Sequence, residues 1–359
     1  MKIKVAQPGM LTTVQDMGRW GFQGKGMPVA GAMDLFALKS GNVMVGNEEG
    51  AACLEVTVLG PTLTVIEGEG AVVATGADLG FSINGISYPC NNVLKVGEGD
   101  TLSFSGMKGN GCRAYLVFSG GVDVHVVMGS RSTYLRAQIG GVDGRALVKG
   151  DIFITGEPHI LWRRFVDFQC PVAVLPERRT GRPLRVVLGP QDDAFSPKGI
   201  ETFFSEPYKI TESADRMGYR LKGAVIEHSG GADIISDAIP LGAVQVPGDG
   251  QPIVMLADRQ TTGGYTKIAV LCSPDIAEIA QYLPGQEIRF KQVSFEEAVS
   301  LAKQESDQII KLRQSVAAWI TRIVPPMSEC ETEILMTSGT WELSVDGETH
   351  TVSWESLDC

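Results

Sequence analysis

The sequence predicts a mainly β protein with two domains. Its composition indicates the β class, and its length indicates the number of domains. Of its 359 residues, 43 are glycine and only 7% are aromatic, which is typical of short strands joined by many tight turns. A chain of this length exceeds what one hydrophobic core usually serves, so two domains are expected.

The two domains are predicted over residues 1–170 and 184–293. Between them, residues 171–183 form a polar stretch with a proline at each end. This stretch breaks both helical and strand periodicity and is predicted to be a linker. Residues 72–78 and 253–258 share a strand-and-turn pattern, which indicates either duplicated β domains or the general similarity of glycine-rich β segments.

Residues 294–359 have a different character and predict a C-terminal extension. Apolar residues recur at helical spacing from Phe295 to Ile323, and Pro325-Pro326 ends the pattern. This predicts a helix of up to about 29 residues, either continuous or broken once within residues 303–308. Two alternating segments around Asp346-Gly347 then predict a β-hairpin. We expect the extension to dock on the preceding domains or on a partner subunit.

The net charge and the absence of targeting signals argue against several classes of partner and location. The net charge is −11 and no long basic run interrupts the acidic surface, which argues against nucleic acid or an anionic membrane. The N-terminus lacks the apolar core of a signal peptide, and no apolar run approaches the roughly 18 residues of a membrane-spanning helix. A cytoplasmic location is therefore expected.

Cysteine and histidine usage does not predict a metal site. The seven cysteines are scattered, never form a C-x-x-C motif, and are expected to be mostly buried free thiols. The four histidines lie far apart, and none has a carboxylate at helical ligand spacing.

The most informative motif lies within residues 242–265. Residues 254–257 predict a buried strand, so the polar residues 258–262 would leave its end together. Gly263-Gly264 is predicted to form a turn whose successive amides could contact an anion. In the alternative interpretation, Asp258 and Arg259 are a solvated surface pair and the glycines only turn the chain.

Two further segments predict anion binding. Asp16 and Asp34 could orient Arg19 toward an anionic substrate, or the same glycine-rich loop could simply hydrogen-bond to itself. Arg131, with neighbouring hydroxyl groups and Arg136, could form another anion pocket. This run lacks the P-loop pattern, so any ATP would require a site of another kind, shared between subunits.

In order and spacing, residues 8–19, 26–34, 129–134, 215–220 and 242–265 resemble the allophanate hydrolase subunit 2 / biotin-dependent carboxyltransferase (subdomains A and B) family. The resemblance covers roughly residues 1–293, so the C-terminal extension departs from it. It implies two cyclophilin-like β-barrel domains side by side, a division that composition alone would leave as two mainly β domains.

Family members include the C subunit of the ATP-dependent 5-oxoprolinase, the carboxyltransferase half of urea carboxylase, and a regulator paired with an inhibitor of a histidine kinase. The first function is favoured because this chain is a separate polypeptide without a biotin acceptor sequence. No Ala-Met-Lys-Met motif follows the predicted hairpin, and covalent biotin is therefore not predicted on this chain. The biotin-dependent carboxyltransferase and the non-catalytic regulator stay open as alternatives.

The resemblance implies a site divided between subunits, so the chain is expected to be inactive alone. Expected partners are a subunit-B-type cyclophilin-like protein of the allophanate hydrolase subunit 1 family, a homologue of the A subunit of 5-oxoprolinase, and a small carboxylate or amide substrate. ATP is expected to be shared with the partner subunits.

No convincing nucleophilic triad is present, so the predicted chemistry is electrostatic positioning. Arg259 and Arg216 would clamp the substrate, Asp258 and Asp215 would orient them or accept a proton, and Lys267 would add a point charge. The predicted catalytic residues are Asp258, Arg259 and Lys267. The predicted binding residues are Asp16, Arg19, Asp34, Arg131, Asp215, Arg216, Gln245, Gln260, Thr261, Thr262, Gly263, Gly264 and Tyr265.

Overall fold

The computed structural model describes residues 1–176 and 181–322, together with the backbone of residues 338–345 and 348–355. Residues 1–317 form one compact unit and residues 318–359 a second. The described residues form 23 strands and four α-helices, so the prediction of a mainly β fold is confirmed. Among them, no helix is long and apolar enough to cross a membrane.

The elements that precede residue 177 are twelve strands, one α-helix and three short 3₁₀ helices. They are β1 (Lys2–Gln7), β2 (Leu11–Gln15), a 3₁₀ helix (Gln23–Lys25), α1 (Leu35–Met44), β3 (Cys53–Thr57), β4 (Thr62–Glu67), β5 (Glu69–Gly76), β6 (Phe81–Ile83), β7 (Ile86–Ser87), β8 (Leu94–Gly97), β9 (Thr101–Phe104), β10 (Arg113–Phe118), β11 (Val122–Asp123), β12 (Ile152–Thr155) and 3₁₀ helices Trp162–Phe165 and Val172–Val174.

These strands form two sheets that share one apolar core. The seven-stranded sheet has the order β11-β12-β1-β4-β9-β6-β7, and the five-stranded sheet has the order β2-β3-β10-β5-β8. β10 is buried along its whole length because it lies at the centre of the second sheet, with α1 packed against it. A Cβ atom at Gly41 of α1 would lie 2.6 Å from Val117 Cγ2, so glycine allows this close approach.

The elements between residues 181 and 322 are nine strands, three α-helices and one 3₁₀ helix. They are β13 (Leu184–Leu188), a 3₁₀ helix (Asp192–Ala194), α2 (Pro197–Ser205), β14 (Tyr208–Ile210), β15 (Gly218–Gly223), β16 (Asp233–Ala238), β17 (Ala243–Val246), β18 (Ile253–Met255), β19 (Thr262–Leu271), α3 (Ser273–Ile279), β20 (Glu287–Ile288), β21 (Phe290–Gln292) and α4 (Phe295–Arg322).

These strands form a nine-stranded sheet that nearly closes on itself. Its order is β20-β14-β15-β18-β17-β19-β13-β21, and β16 pairs with β19 beside this path. The two terminal strands, β20 and β21, are separated in the chain by Arg289 alone, so the two ends of the sheet meet. The apolar core against which this sheet packs includes Met33 from the first part of the chain.

The predicted C-terminal helix and hairpin are both confirmed. α4 runs without a break from Phe295 to Arg322, including the polar stretch 303–308. In the second unit, β22 (Ser338–Val345) pairs antiparallel with β23 (Glu348–Glu355), and Val345 lies opposite Glu348. The turn residues Asp346 and Gly347 lie outside the described residues, and docking of the extension stays a prediction.

The expectation of buried free thiols holds for most of the cysteines that the structure describes. Cys53, Cys112, Cys170 and Cys272 are buried and free, whereas Cys90 is free and partly exposed. Cys330 and Cys359 lie outside the described residues.

Candidate functional site

A cavity of about 600 Å³ lies on the outer face of the nine-stranded sheet. Its floor is formed by β15, β17, β18 and the start of β19, and one residue of the first part of the chain, Arg136, reaches its wall. The lining residues are Arg136, Ser213, Asp215, Met217, Gly218, Arg220, Gln245, Pro247, Asp249, Ile253, Met255, Gln260 and Tyr265.

Four predicted site residues line this cavity: Asp215, Gln245, Gln260 and Tyr265. Asp215 also holds the turn that leads into β15, because its carboxylate accepts the backbone N–H groups of Met217 at 2.8 Å and Gly218 at 3.1 Å. Its position is therefore fixed by the backbone that it caps.

Two amide side chains face the cavity with different hydrogen-bonding capacity. Gln245 Nε2 donates a long hydrogen bond of 3.4 Å to the carbonyl oxygen of Tyr265. Gln260 Oε1 is buried and has no hydrogen-bond partner among the described residues. A buried acceptor without a partner is costly, so this oxygen is available to a ligand N–H group.

The predicted turn at Gly263-Gly264 is wrong, because both glycines lie inside the ten-residue strand β19. Gly263 pairs with Asp237 of β16, so the two amides do not form an anion-binding turn. Gly263 instead provides space: a Cβ atom there would lie 2.7 Å from Ile239 Cδ1 and 3.0 Å from Gln245 Nε2. Thr261 and Thr262 lie at the entrance to the same strand, and the carbonyl oxygen of Thr261 accepts the Ile239 N–H.

Asp258 belongs to a buried charge network that joins the two parts of the compact unit. Arg216 donates from Nε and Nη2 to the two carboxylate oxygens of Asp258, at 3.1 and 3.0 Å. Arg216 also donates from Nη2 to the carbonyl oxygen of Gly31 at 2.6 Å and from Nη1 to Glu55. The surface-pair interpretation of Asp258 is therefore wrong, and its two engaged oxygens favour an orienting role over proton transfer.

Glu55 is the acid at the centre of this network. Its second oxygen accepts the Met33 N–H and the Tyr115 hydroxyl, each at 2.8 Å. Burial raises the pKa of Glu55, but the charges of Arg216 and Arg113, together with these hydrogen bonds, bring the pKa below its ordinary value. Glu55 is therefore held as a carboxylate between two arginines.

Asp34 lies in a neighbouring structural position. Its side chain accepts the Ala37 N–H at 3.0 Å and so caps the N-terminus of α1. Its other oxygen accepts from Gln281 Nε2 at 2.9 Å, which is a second contact between the two parts of the chain. The structure gives Asp34 a capping and bridging position rather than a place in the cavity wall.

Arg259 is buried without an acidic partner. Its guanidinium donates to the carbonyl oxygens of Ile239 at 2.9 Å and Leu256 at 3.3 Å. In the part of the chain that the structure describes, no carboxylate lies within 4.0 Å of it. Burial lowers the pKa of Arg259 to about 10. The next residue, Gln260, lines the cavity, whereas Arg259 is not among its lining residues.

Arg19 is also buried, in the N-terminal loop. Nη2 donates to the Ser132 carbonyl oxygen at 2.5 Å, whereas Nη1 is buried without a hydrogen-bond partner among the described residues. Burial lowers the pKa of Arg19, and the charges of Asp16 and Asp258 oppose that shift. Burial and the charge of Asp258 also raise the pKa of Tyr134. Asp258 thus acts electrostatically on two side chains of the first part of the chain.

Asp16 and Arg131 do not lie in the cavity wall. The Asp16 carboxylate accepts the Ser130 hydroxyl at 2.7 Å, the Arg131 N–H at 2.6 Å and the Gly18 N–H at 2.8 Å, and so ties two loops together. The Arg131 guanidinium pairs with Asp123 at 3.0 Å and is partly exposed. The loop-stabilising interpretation of Asp16 therefore agrees with these contacts.

Lys267 is fully buried, and its ammonium group lies 3.1 Å from Asp237. This ion pair connects β19 to β16. Lys267 does not line the 600 Å³ cavity, although it lies opposite the cavity-lining Gln245 in the β17–β19 pairing.

Sequence reasoning assigned no site role to Arg220, Asp249 or Glu55. Arg220 follows buried Tyr219 in β15, and strand alternation turns its side chain outward into the cavity. The alternation of buried and exposed residues could have identified Arg220 from the sequence. No local pattern could have identified Glu55, because its partners lie more than 20 positions away in the chain.

Fold and cavity together define a β-sheet protein with a polar cavity on one sheet and a buried charge network at Arg216, between the lining residues Asp215 and Met217. The protein family described as "Carboxyltransferase domain, subdomain A and B" matches residues 25–292, and the chain belongs to this family.

Similar proteins include the 5-oxoprolinase C subunit of Escherichia coli, with 36% identity over 85% of this chain and 96% of that protein. The 5-oxoprolinase C subunit of Haemophilus influenzae is 35% identical over 85% of this chain and 95% of that protein. The crystal structure of K. lactis urea amidolyase superposes with a TM-score of 0.80 at 30% identity, covering 87% of this chain and 20% of that one.

Proposed function

We propose that this chain is the C subunit of an ATP-dependent 5-oxoprolinase, which opens 5-oxoproline to L-glutamate as part of a multi-subunit enzyme. The observation that carries the proposal is the match with the 5-oxoprolinase C subunit of Escherichia coli along 96% of that protein's length. The urea amidolyase structure corresponds to this chain over only 20% of its own length.

The cavity suits a small cyclic amide that carries a carboxylate. The guanidinium groups of Arg136 and Arg220 supply donors for the carboxylate. The amide nitrogen of Gln245 would donate to the lactam carbonyl, and Gln260 Oε1, which has no partner among the described residues, would accept the lactam N–H.

Arg259 supplies the electrostatic part of the mechanism. Attack of water on the lactam carbonyl carbon forms a C–O bond and places negative charge on the carbonyl oxygen; the ring C–N bond then breaks and its nitrogen takes up the proton that water loses. The buried Arg259 guanidinium, one residue from the cavity-lining Gln260, would stabilise that charge through its electrostatic field. Arg216 fixes Asp258, the residue before Arg259, and so positions this part of the backbone. ATP would drive the ring opening from a site shared with the partner subunits.

A biotin-dependent carboxyltransferase is the second candidate, favoured by the structural similarity to urea amidolyase. In that reaction the same cavity would hold urea or another small amide. The two functions differ in their requirement for a biotin-carrying partner.

We expect the purified chain to hydrolyse no 5-oxoproline alone and to do so, with ATP, after mixing with its subunit-B-type partner and a homologue of the 5-oxoprolinase A subunit. The measurement is glutamate release, with ADP release as the parallel readout. The matched control replaces the partners by a biotin carboxylase and a biotin carrier, with urea and bicarbonate as substrates. Carboxylation in that mixture, and no glutamate from the first, would contradict the proposal.

Gly263→Ala is expected to raise the KM for 5-oxoproline about tenfold in the reconstituted enzyme, while the melting temperature changes little. The added methyl group would press on Ile239 Cδ1 and on the Gln245 amide, which lie 2.7 and 3.0 Å from its position, and loss of the Gln245 hydrogen bond to a ligand costs about 1 to 1.5 kcal/mol. The control is Gly264→Ala, where the nearest atom lies 3.4 Å away at ordinary contact distance. Equal KM values for the two variants would remove Gln245 from the binding site.

A further inference from the structure

The start of β19 and the whole of β16 form an exposed two-stranded ribbon. β16 pairs only with β19 among the described strands, so its outer edge has no backbone partner there. Most of its side chains are solvent-exposed, and Ile235 is 95% exposed. An open strand edge is a template for pairing with another chain.

The exposure of Ile235 distinguishes this edge from one that is only protected against aggregation. Proteins blunt open edges with charges and bulges, and β16 has both: Asp233, Asp237 and a register shift between them. A branched apolar side chain at the middle of such an edge works against that protection. Covering this side chain with a partner would remove its apolar surface from water and so stabilise the complex.

Charge argues against a second copy of this chain as the partner. Two antiparallel β16 strands centred on Ile235 would place Asp233 of one copy opposite Asp237 of the other. Like charges directly opposite each other destabilise a strand pair, and Lys267 offsets only the charge of Asp237. The net charge of −11 adds a further repulsion between copies.

We propose that β16 is the docking edge for another subunit of the enzyme, a β protein that adds an open strand to this ribbon. Its strand carries lysine or arginine opposite Asp233 and an apolar socket for Ile235. This assignment rests on the proposed function for the choice of partner, and on the ribbon itself for the location.

Docking at this edge would also complete the candidate site. Asp237 holds Lys267 and lies opposite Gly263, whose neighbours are the Gln245 and Gln260 amides. A strand added to β16 would therefore lie one strand away from the cavity floor.

The test measures the dissociation constant between this chain and the purified subunit-B-type partner by calorimetry. Ile235→Asp is expected to weaken binding at least tenfold, about 1.4 kcal/mol, and Asp233→Lys to weaken it through charge reversal. The control is Ile160→Asp, because Ile160 is 90% exposed and belongs to neither β16 nor β19. Circular dichroism confirms folding, and hydrogen exchange of the β16 amides is expected to slow in the wild-type complex.

Three results would overturn the assignment: absence of binding, wild-type affinity of Ile235→Asp, or unchanged exchange of β16 in the complex. A concentration-dependent dimer of the chain alone that Ile235→Asp abolishes would also overturn it, in favour of a second copy. The proposed function fails separately: a complex that forms through β16 but releases no glutamate leaves the docking edge intact.

Discussion

Arg216→Met is expected to lower the free energy of unfolding by about 3 to 5 kcal/mol, the largest effect on stability predicted for this chain. Arg216 is almost completely buried and forms ion pairs with both Glu55 and Asp258. Its removal would leave two carboxylates buried without their shared cation. Chemical denaturation, followed by tryptophan fluorescence, measures the change.

The control for this prediction is Arg313→Met. Arg313 pairs with Glu49 at 2.7 Å but is more than half exposed, and an exposed pair contributes at most about 1 kcal/mol. Similar unfolding free energies for the two variants would show that the buried network does not stabilise the fold. A double variant, Arg216→Met with Asp258→Leu, should recover part of the loss, because among the described residues the Asp258 carboxylate forms its ion pair with Arg216 alone.

Arg259→Lys is expected to reduce 5-oxoproline turnover in the reconstituted enzyme by about 30- to 150-fold, with little change in folding. Lysine keeps the positive charge but lacks the planar guanidinium that donates to two carbonyl oxygens and so fixes the position of that charge. Loss of such a contact costs about 2 to 3 kcal/mol of transition-state binding. Steady-state kinetics should show the effect mainly in kcat.

Arg163→Lys is the matched control for this substitution, because Arg163 pairs with Glu69 on the surface. It should leave kcat and KM near the values of the unsubstituted complex. An Arg259→Lys enzyme with normal kcat would exclude Arg259 from transition-state stabilisation.

The sequence predicted the elements that local patterns specify. The spacing of apolar residues predicted α4, which is continuous from Phe295 to Arg322; the predicted last residue, Ile323, lies outside the described residues. Strict alternation around Asp346-Gly347 predicted the β22–β23 pair. The predicted turn at Gly263-Gly264 was wrong, because glycine occurs in turns and also at strand positions where neighbouring side chains come close.

The candidate site was predictable only in part, for a physical reason. Residues 258–265 were singled out because polar side chains follow a buried strand, and Gln260 and Tyr265 do line the cavity. The contacts of Arg216 with Gly31 and Glu55 depend on how distant parts of the chain pack together. No local spacing encodes such contacts.

The closure of the nine-stranded sheet has a consequence for the order of folding. β13 pairs in parallel with β21, so Leu184 lies beside Phe290, more than a hundred positions later in the chain. The ribosome must therefore synthesise nearly the whole sheet before its first strand acquires both neighbours. Pairings of such large sequence separation slow the search for the native topology, because the loop between them must close first. The sheet therefore stays open at β13 until residues 290–292 have been synthesised.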